Sequence, residues 1–339
     1  MKLHPSLFLF VLLCLNRVAL ADEVPPPWAY GFKTPAPPEV SLPVPPPAST
    51  NLVPKPADLI LHHLPGTDRQ FNRIQITDIF GPADWYPQDH PPMPEIVAKG
   101  KAPAVWACAR CHYPNGKGRP ENAPIAGLPV EYFIAQLHSF RAGDRQTSDV
   151  RKPNTKMMTE YARGLTEEEM RVAAEYFGSM KWTPWIRVIE TDRVPQTTLS
   201  AGMFLPVANA PDEPIGNRII EVPEDVEAVE LLRNPRTGFI AYAPIGSIKR
   251  GEELVTTGGG RTLACAACHG PDLKGMTIPG IGTTPGLAGR SPSYLTRQMF
   301  DIKSGARRGP SVELMKPVVA NLTSEDMLAI SAFLASRIP

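Results

Sequence analysis

The segment Cys108-Ala109-Arg110-Cys111-His112 decides how this chain is interpreted, because Cys265-Ala266-Ala267-Cys268-His269 repeats its pattern. Each segment has two cysteines three positions apart and a histidine directly after the second cysteine. Two cysteines at that spacing lie on one helical turn and present both sulfur atoms in about the same direction. The adjacent histidine adds an imidazole, a common metal ligand, to the same turn. The two segments therefore indicate two sites of the same chemistry.

C-x-x-C-H is the attachment signature of c-type haem, in which two thiols form thioether bonds to the porphyrin and the histidine ligates the iron. We therefore predict two covalently attached haem c groups, held by Cys108, Cys111 and His112 and by Cys265, Cys268 and His269. A four-cysteine zinc site is one alternative, but Cys265 lies 154 positions after Cys111, whereas a zinc ribbon has a gap of about 15–20 residues. A thioredoxin-like dithiol is another alternative, and it would not require a histidine after both pairs.

The sequence around the two motifs is also repeated, which predicts two copies of one small helical domain. The segment 131–137 matches 293–299, and both have apolar residues at helical spacing. Further along, 165–170 matches 322–327, and each begins with a helix-capping pattern, Thr166 with Glu169 and Thr323 with Asp326. The copies are predicted to occupy residues 93–181 and 246–339.

Methionines at equivalent positions in the two copies are candidate sixth ligands of the iron. His112 and Met158 are 46 positions apart, and so are His269 and Met315. A thioether is a soft neutral ligand, and His/Met ligation suits electron transfer. Most methionines only fill a core, and Met157 competes with Met158 in the first copy. We predict that Met158 and Met315 ligate iron, because core packing alone does not require the equal spacing.

Both copies resemble class I c-type cytochromes in the order of an N-terminal helix, the haem motif, a Tyr-bearing helix, a methionine loop and a C-terminal helix. The pair resembles the two-domain dihaem cytochromes of bacterial periplasms over residues 93–181 and 246–339. The resemblance implies covalent haem c, His/Met ligation and one-electron transfer. Residues 22–92 and the long segment between the copies have no counterpart in that pattern.

The N-terminus has the pattern of a cleaved export signal. Lys2 precedes an apolar run from Leu7 to Leu15, and Ala19-Leu20-Ala21 is a cleavage pattern. A membrane anchor is the alternative, but this run of nine residues is too short for a bilayer core that requires about 20. We predict that residues 1–21 are removed after Ala21 and that the mature chain is periplasmic, without a transmembrane segment.

Proline marks the regions outside the two copies, with 12 of the 40 prolines in residues 22–57. That composition predicts an extended arm, which is either a flexible tether or a strap on a partner. The more aromatic residues 58–92 are predicted to pack on the first haem domain. Residues 182–245 are predicted to form a Pro-rich, partly β connector, with short β-like runs at 186–190, 218–222 and 238–242.

Histidines outside the motifs are interpreted as structural. His62, His63 and His90 are expected at the surface or in capping positions, although each is a conceivable haem or metal ligand. His138 aligns with Phe300 in the repeat and is expected to be a packed helix residue.

The sequence thus predicts a mainly α protein with two class I cytochrome c domains, a connector and an arm. Its balance of 35 Lys and Arg against 34 Asp and Glu disfavours a general nucleic-acid binder. The predicted function is single-electron transfer between redox proteins such as a dehydrogenase, an oxidase or another cytochrome. The protein would act as a shuttle or as the cytochrome subunit of a dehydrogenase or respiratory complex, and association with a membrane complex fits that role. A dihaem peroxidase or thiosulfate-oxidising enzyme is the alternative. Peroxidase chemistry needs an open iron position, which two matched methionines argue against.

Overall fold

The computed structural model of the protein describes residues 23–37 and 55–339. The predicted export signal and residues 38–54 of the predicted arm lie outside the described residues. The helices are α1 (Pro27–Tyr30), α2 (Arg73–Thr77), α3 (Glu95–Ala98), α4 (Cys108–His112), α5 (Val130–Ala142), α6 (Pro153–Gly164), α7 (Glu167–Gly178), α8 (Ser247–Thr257), α9 (Ala266–His269), α10 (Pro292–Lys303), α11 (Lys316–Val319) and α12 (Ser324–Ser336). Short 3₁₀ turns cover Pro56–Leu59, Pro87–Asp89 and Pro310–Met315, and Glu227–Leu231 is a π-helical turn.

The first repeat folds as α3 to α7 around one apolar core. α5 buries Phe133 and Leu137, as its helical spacing predicts, and they pack with Phe177 of α7. The predicted capping box of α7 is confirmed. The Thr166 hydroxyl accepts a hydrogen bond from the Glu169 N–H, and the Glu169 carboxylate accepts one from the Thr166 N–H.

The second repeat folds in the same order, as α8 to α12, around a separate core. Thr323 and Asp326 form the equivalent capping box at the start of α12. Gly251 of α8 lies against α12, and a Cβ at this position would be 2.0 Å from the Ala329 carbonyl oxygen. Glycine therefore permits the close contact between the first and last helices of this domain.

His138 differs from its predicted environment. It is exposed on α5, and its Nε2 is 2.9 Å from a Glu167 carboxylate oxygen, so the interpretation as a packed residue is wrong. Its repeat counterpart Phe300 is buried in the second core. Glu167 also pairs with Arg141, so this part of α5 is a charged surface on which an imidazole is favourable.

Strands between the two domains form a small mixed sheet. β3 (Ile186–Glu190), β8 (Ile220–Pro223) and β9 (Phe239–Ala243) are arranged in the order β3-β9-β8, with β3 parallel and β8 antiparallel to β9. The three predicted β-like runs therefore form one sheet. The remaining strands are two-stranded pairs, namely β1 (His62–His63) with β2 (Gln70–Phe71), β4 (Arg193–Val194) with β7 (Glu213–Pro214), β5 (Thr197–Ser200) with β6 (Met203–Pro206), and β10 (Thr277–Ile278) with β11 (Gly282–Thr283).

The expectation of an extended arm is wrong for residues 27–30, which form α1. Pro27 occupies the first helical position, where its missing N–H costs nothing. Trp28 and Tyr30 are buried in a third core. This core also contains Val222 of the sheet and Leu328 of α12. The start of the described chain is therefore packed between the connector and the second domain.

Residues 58–92 have a small core of their own, formed by Leu64, Ile76, Trp85 and Tyr86 with Leu232 of the connector. The Trp85 indole N–H donates a 2.8 Å hydrogen bond to the Leu232 carbonyl. The Ala107 N–H, next to the first motif, donates one of 2.9 Å to Ile79. This extension therefore contacts both the connector and the first domain.

Among residues 23–37 and 55–339, no single helix is long and apolar enough to cross a membrane, although the bent pair Val312–Val319 and Ser324–Ser336 passes on length and composition.

Candidate functional site

The first C-x-x-C-H motif forms one wall of a large cleft in the first domain. The cleft encloses about 1360 Å³, including the space at its open mouth. Cys108, Cys111 and His112 line it together with Met157 and Met158. The residues that the sequence assigns to one site are thus brought together by the fold.

Both motif histidines are buried, and each has one ring nitrogen held by a backbone carbonyl. His112 Nδ1 donates a 2.9 Å hydrogen bond to Ala123, and His269 Nδ1 donates one of 2.8 Å to Pro285. Burial lowers the pKa of both imidazoles. The neutral ring, with Nδ1 occupied, offers Nε2 to a metal, which is the usual form of a proximal histidine.

None of the four motif cysteines forms a disulfide in the described structure. Burial raises the pKa of Cys108 to about 12 and that of Cys265 to about 11. A redox-active dithiol requires a stabilised thiolate, so these values argue against thioredoxin-like chemistry. The described residues contain no group of three or more His, Cys, Asp or Glu side chains that could hold a metal ion.

The methionine segment of the first domain is a helix rather than the expected loop. Met157 and Met158 both lie on α6, which begins at Pro153 with the preceding Lys152 in extended conformation. Proline favours the first turn of a helix and excludes the residue before it from the helix, which explains where α6 begins. Because both methionines line the cleft, Met158 as the sixth ligand stays a prediction.

In the second domain, Met315 ends the 3₁₀ turn Pro310–Met315. Met315 and Cys265 are half-buried and pack against the same apolar core. Met170 and Met327, which the repeat assigns to packing, are fully buried in the two cores. Met315 and Cys265 thus lie against one core, as Met158 and Cys108 do in the first domain.

These donor sets and the cleft fit haem c. Haem c would be held in each domain by two cysteine sulfurs through thioether bonds and by a neutral imidazole at the iron, and Met158 and Met315 are the predicted further ligands. The first cleft is mainly apolar, with Phe133, Leu137 and Phe177 in its walls, which suits a porphyrin ring. Two other described histidines are engaged elsewhere. His63 contacts the Thr67 carbonyl, and His90 lies 3.1 Å from Asp84.

Comparison with known proteins agrees with this geometry. Residues 97–181 and 248–337 match the cytochrome c family. The chain belongs to the cytochrome c family. Each matched range contains one C-x-x-C-H motif, and this cytochrome has two covalently bound haem c groups.

Two curated relatives and one solved structure are similar to this cytochrome. A cytochrome c4 from Thiocapsa roseopersicina is 34% identical over 236 residues, which cover 69% of this chain and 89% of the relative. A thiosulfate dehydrogenase electron acceptor from Stutzerimonas stutzeri is 41% identical over 86 residues, or 25% of this chain and 37% of the relative. The structure of a thiosulfate dehydrogenase from Marichromatium purpuratum, in its as-isolated form, has 26% identity and a TM-score of 0.44 over 70% of this chain and 38% of the other.

The two domains of this cytochrome meet at a buried polar cluster that sequence reasoning missed. The Arg145 guanidinium donates to Gln136, Tyr294 and Gln298, and the Arg307 guanidinium donates to Gln298, Tyr132 and Gln136. The cluster consists of three pairs of residues at equivalent positions in the two copies, namely Tyr132 and Tyr294, Gln136 and Gln298, and Arg145 and Arg307. Each arginine follows its Gly143 or Gly305 by two positions, and this repeated spacing is the signal that could have identified the cluster.

The interface cluster also reaches the first haem cleft. Arg145 lines the cleft, and so do Tyr294, Gln298 and Asp301 of the second domain. The second domain thus completes the wall of the first site. A change at this interface alters the polarity around the first cofactor as well as the contact between domains.

Proposed function

We propose that this cytochrome transfers single electrons between redox proteins in the periplasm. Its haem groups are attached at Cys108 and Cys111 and at Cys265 and Cys268. The observation that carries the proposal is the duplicated site, in which each domain presents two cysteines outside any disulfide and a buried histidine whose Nδ1 is fixed by a carbonyl. In each site the neutral imidazole binds iron through Nε2.

We further propose Met158 and Met315 as the sixth ligands. Bound haem c supplies an iron that gains and loses one electron without bond making. The chain contributes by holding the imidazoles in one orientation and surrounding the porphyrin with apolar side chains. The equal histidine-to-methionine spacing supports a coordinated iron in both domains. Two coordinated irons favour electron transfer over peroxide chemistry.

A dehydrogenase is the proposed electron donor. The support is the similarity of part of this chain to a protein named thiosulfate dehydrogenase electron acceptor. The proposal covers both a free shuttle and a cytochrome subunit bound to the dehydrogenase. Export to the periplasm is supported by the signal pattern in residues 1–21, which lies outside the described residues.

Haem stoichiometry and peroxide turnover test the proposal. Intact mass and haem staining after denaturing electrophoresis should show two covalent haem groups, and Cys265→Ser/Cys268→Ser should retain one. Turnover with hydrogen peroxide should be negligible in the oxidised and half-reduced protein. Haem that is extractable by acidified acetone would contradict the attachment. Rapid peroxide turnover in the half-reduced state would instead favour the enzyme.

A further inference from the structure

The outer surfaces of the two haem-binding motifs are covered to very different extents. No residue from Val105 to Pro120 is exposed. The corresponding stretch of the second domain exposes Leu263, Cys268 and Met276. Because the two domains are copies, the difference must arise from the segments that pack on them.

The connector covers one side of the first motif. The Arg233 guanidinium donates to the Arg110 carbonyl and lies over the Tyr113 ring, 5.1 Å from its centroid. The Asn115 amide donates a 2.9 Å hydrogen bond to the Pro235 carbonyl. These contacts hold residues 233–235 directly on the motif.

The extension of residues 58–92 covers a second side. Its Ile79 carbonyl accepts the hydrogen bond from the Ala107 N–H, one position before Cys108. Arg73 of the same extension donates to the Leu231 carbonyl, which joins the extension to the connector. The extension and the connector thus form one continuous cover over the first motif, and the second repeat, residues 246–339, contains no copy of either segment.

The second motif is surrounded instead by exposed apolar side chains. Thr262 Oγ1 donates to the Val318 carbonyl, and Thr284 Oγ1 donates to the Cys268 carbonyl, so two neighbouring loops are held beside the motif. We call this surface the open face. Its apolar members are Leu263, Met276, Ile281 and Leu314, which are 63%, 38%, 55% and 63% exposed.

The open face carries almost no net charge. Residues 261–284 and 313–317 contain three basic side chains, Arg261, Lys274 and Lys316, and two carboxylates, Asp272 and Glu313. Lys316 and Glu313 neutralise each other in a 2.8 Å ion pair. A surface of this kind fits a partner that is also apolar and uncharged where it docks, since a charged surface would lose hydration without gaining a counter-charge.

We propose that electrons enter and leave this cytochrome through the open face of the second domain, where a redox protein with an uncharged apolar surface docks. One electron passes from the reduced partner to the iron of the second domain, and no bond forms or breaks. The first domain, whose motif is covered by the chain itself, exchanges electrons with the second domain. This inference rests on the proposed electron-transfer function and assigns its docking surface.

Electron self-exchange between two copies of the full haem-loaded protein tests the proposal without a known partner. An uncharged apolar face can dock on the same face of a second copy. The rate is measured from NMR line broadening of the haem methyl signals in partly reduced samples. Leu263→Lys/Leu314→Lys places two positive charges on each face, so that two docking copies repel each other.

The matched control is Leu199→Lys/Val226→Lys, which changes two connector residues that are 38% and 37% exposed. We expect the open-face variant to exchange about tenfold more slowly at low ionic strength and to recover in concentrated salt, while the control keeps the wild-type rate. The proposed docking surface would be wrong if wild type and the open-face variant had equal self-exchange rates, or if the control variant slowed as much as the open-face variant. A wild-type protein with two haem groups and no self-exchange would contradict the proposed function itself.

Discussion

Replacing Tyr30 by phenylalanine tests whether the N-terminal segment of the described chain holds the two haem domains together. The Tyr30 hydroxyl donates a 2.7 Å hydrogen bond to the Asp301 carboxylate of α10. The same carboxylate oxygen accepts bonds of 2.8 Å from the N–H and the hydroxyl of Ser148 in the first domain. Asp301 is thus shared by the N-terminal segment and both domains.

The structure sets the size of the effect. Tyr30→Phe removes one hydrogen bond to a buried carboxylate and creates no cavity, and bonds to charged groups contribute about 1.5–3 kcal/mol. Asp301 keeps its two bonds from Ser148, so no buried charge is left without a donor. We expect the free energy of unfolding to fall by about 2 kcal/mol. Asp301→Ala removes three hydrogen bonds and leaves the Tyr30 hydroxyl and the Ser148 N–H without an acceptor, while the Ser148 hydroxyl keeps Ser304 Oγ. This variant should cost more, about 3–5 kcal/mol.

Guanidinium denaturation of the haem-loaded protein, followed by haem absorbance and tryptophan fluorescence, measures these changes. Tyr242→Phe is the matched control, because Tyr242 packs against the same core as Tyr30 and its hydroxyl has no hydrogen bond in the described structure. The control should change stability by less than about 0.5 kcal/mol. If Tyr30→Phe and Tyr242→Phe had the same effect, the shared carboxylate would not join the segment to the domains.

Two further predictions concern the iron ligands and a buried carboxylate. Met158→Ala and Met315→Ala should each remove about half of the ferric methionine–iron charge-transfer absorbance and lower one reduction potential, because each deletes one thioether ligand. If Met157→Ala removed this absorbance and Met158→Ala did not, the ligand in the first domain would be Met157. Burial raises the pKa of Glu221 to about 7. The folded state therefore holds this proton more tightly than the unfolded state, and the free energy of unfolding should fall as pH rises from about 4.5 to about 7. Glu221→Gln should remove about 3 kcal/mol of that dependence in denaturation curves taken across the window, whereas an unchanged slope would exclude Glu221 as its source.

Much of the fold was predictable because it depends on short-range patterns that occur twice. The capping boxes at Thr166 and Thr323 need only a residue and its third neighbour. The strands at Ile186 and Phe239 were indicated by runs of β-branched and aromatic residues. The C-x-x-C-H motifs predicted two haem c attachment sites for the same reason, since five consecutive residues contain the chemistry.

The features that sequence reasoning missed depend on contacts between distant residues. Prolines before Trp28 favour an extended arm locally, but burial of Trp28 and Tyr30 against the connector and the second domain stabilises a helical turn. His138 was misplaced because the repeat gives its alignment with Phe300 but not the ion pair of Glu167 and Arg141 beside it. Neither outcome follows from the residues that adjoin each site.

The packing of residues 23–37 has a consequence for the order in which the protein matures. Glu23 contacts Lys303 and Ser324, and Tyr30 contacts Asp301, so the first residues of the described chain bind partners near its end. A chain that crosses a membrane from its N-terminus delivers this segment first and its binding site almost last. In the proposed export from the N-terminus, Trp28 and Tyr30 have no core to enter until the end of the chain has crossed. Both C-x-x-C-H segments would then emerge before the molecule can close, while their thiols are still accessible for haem attachment.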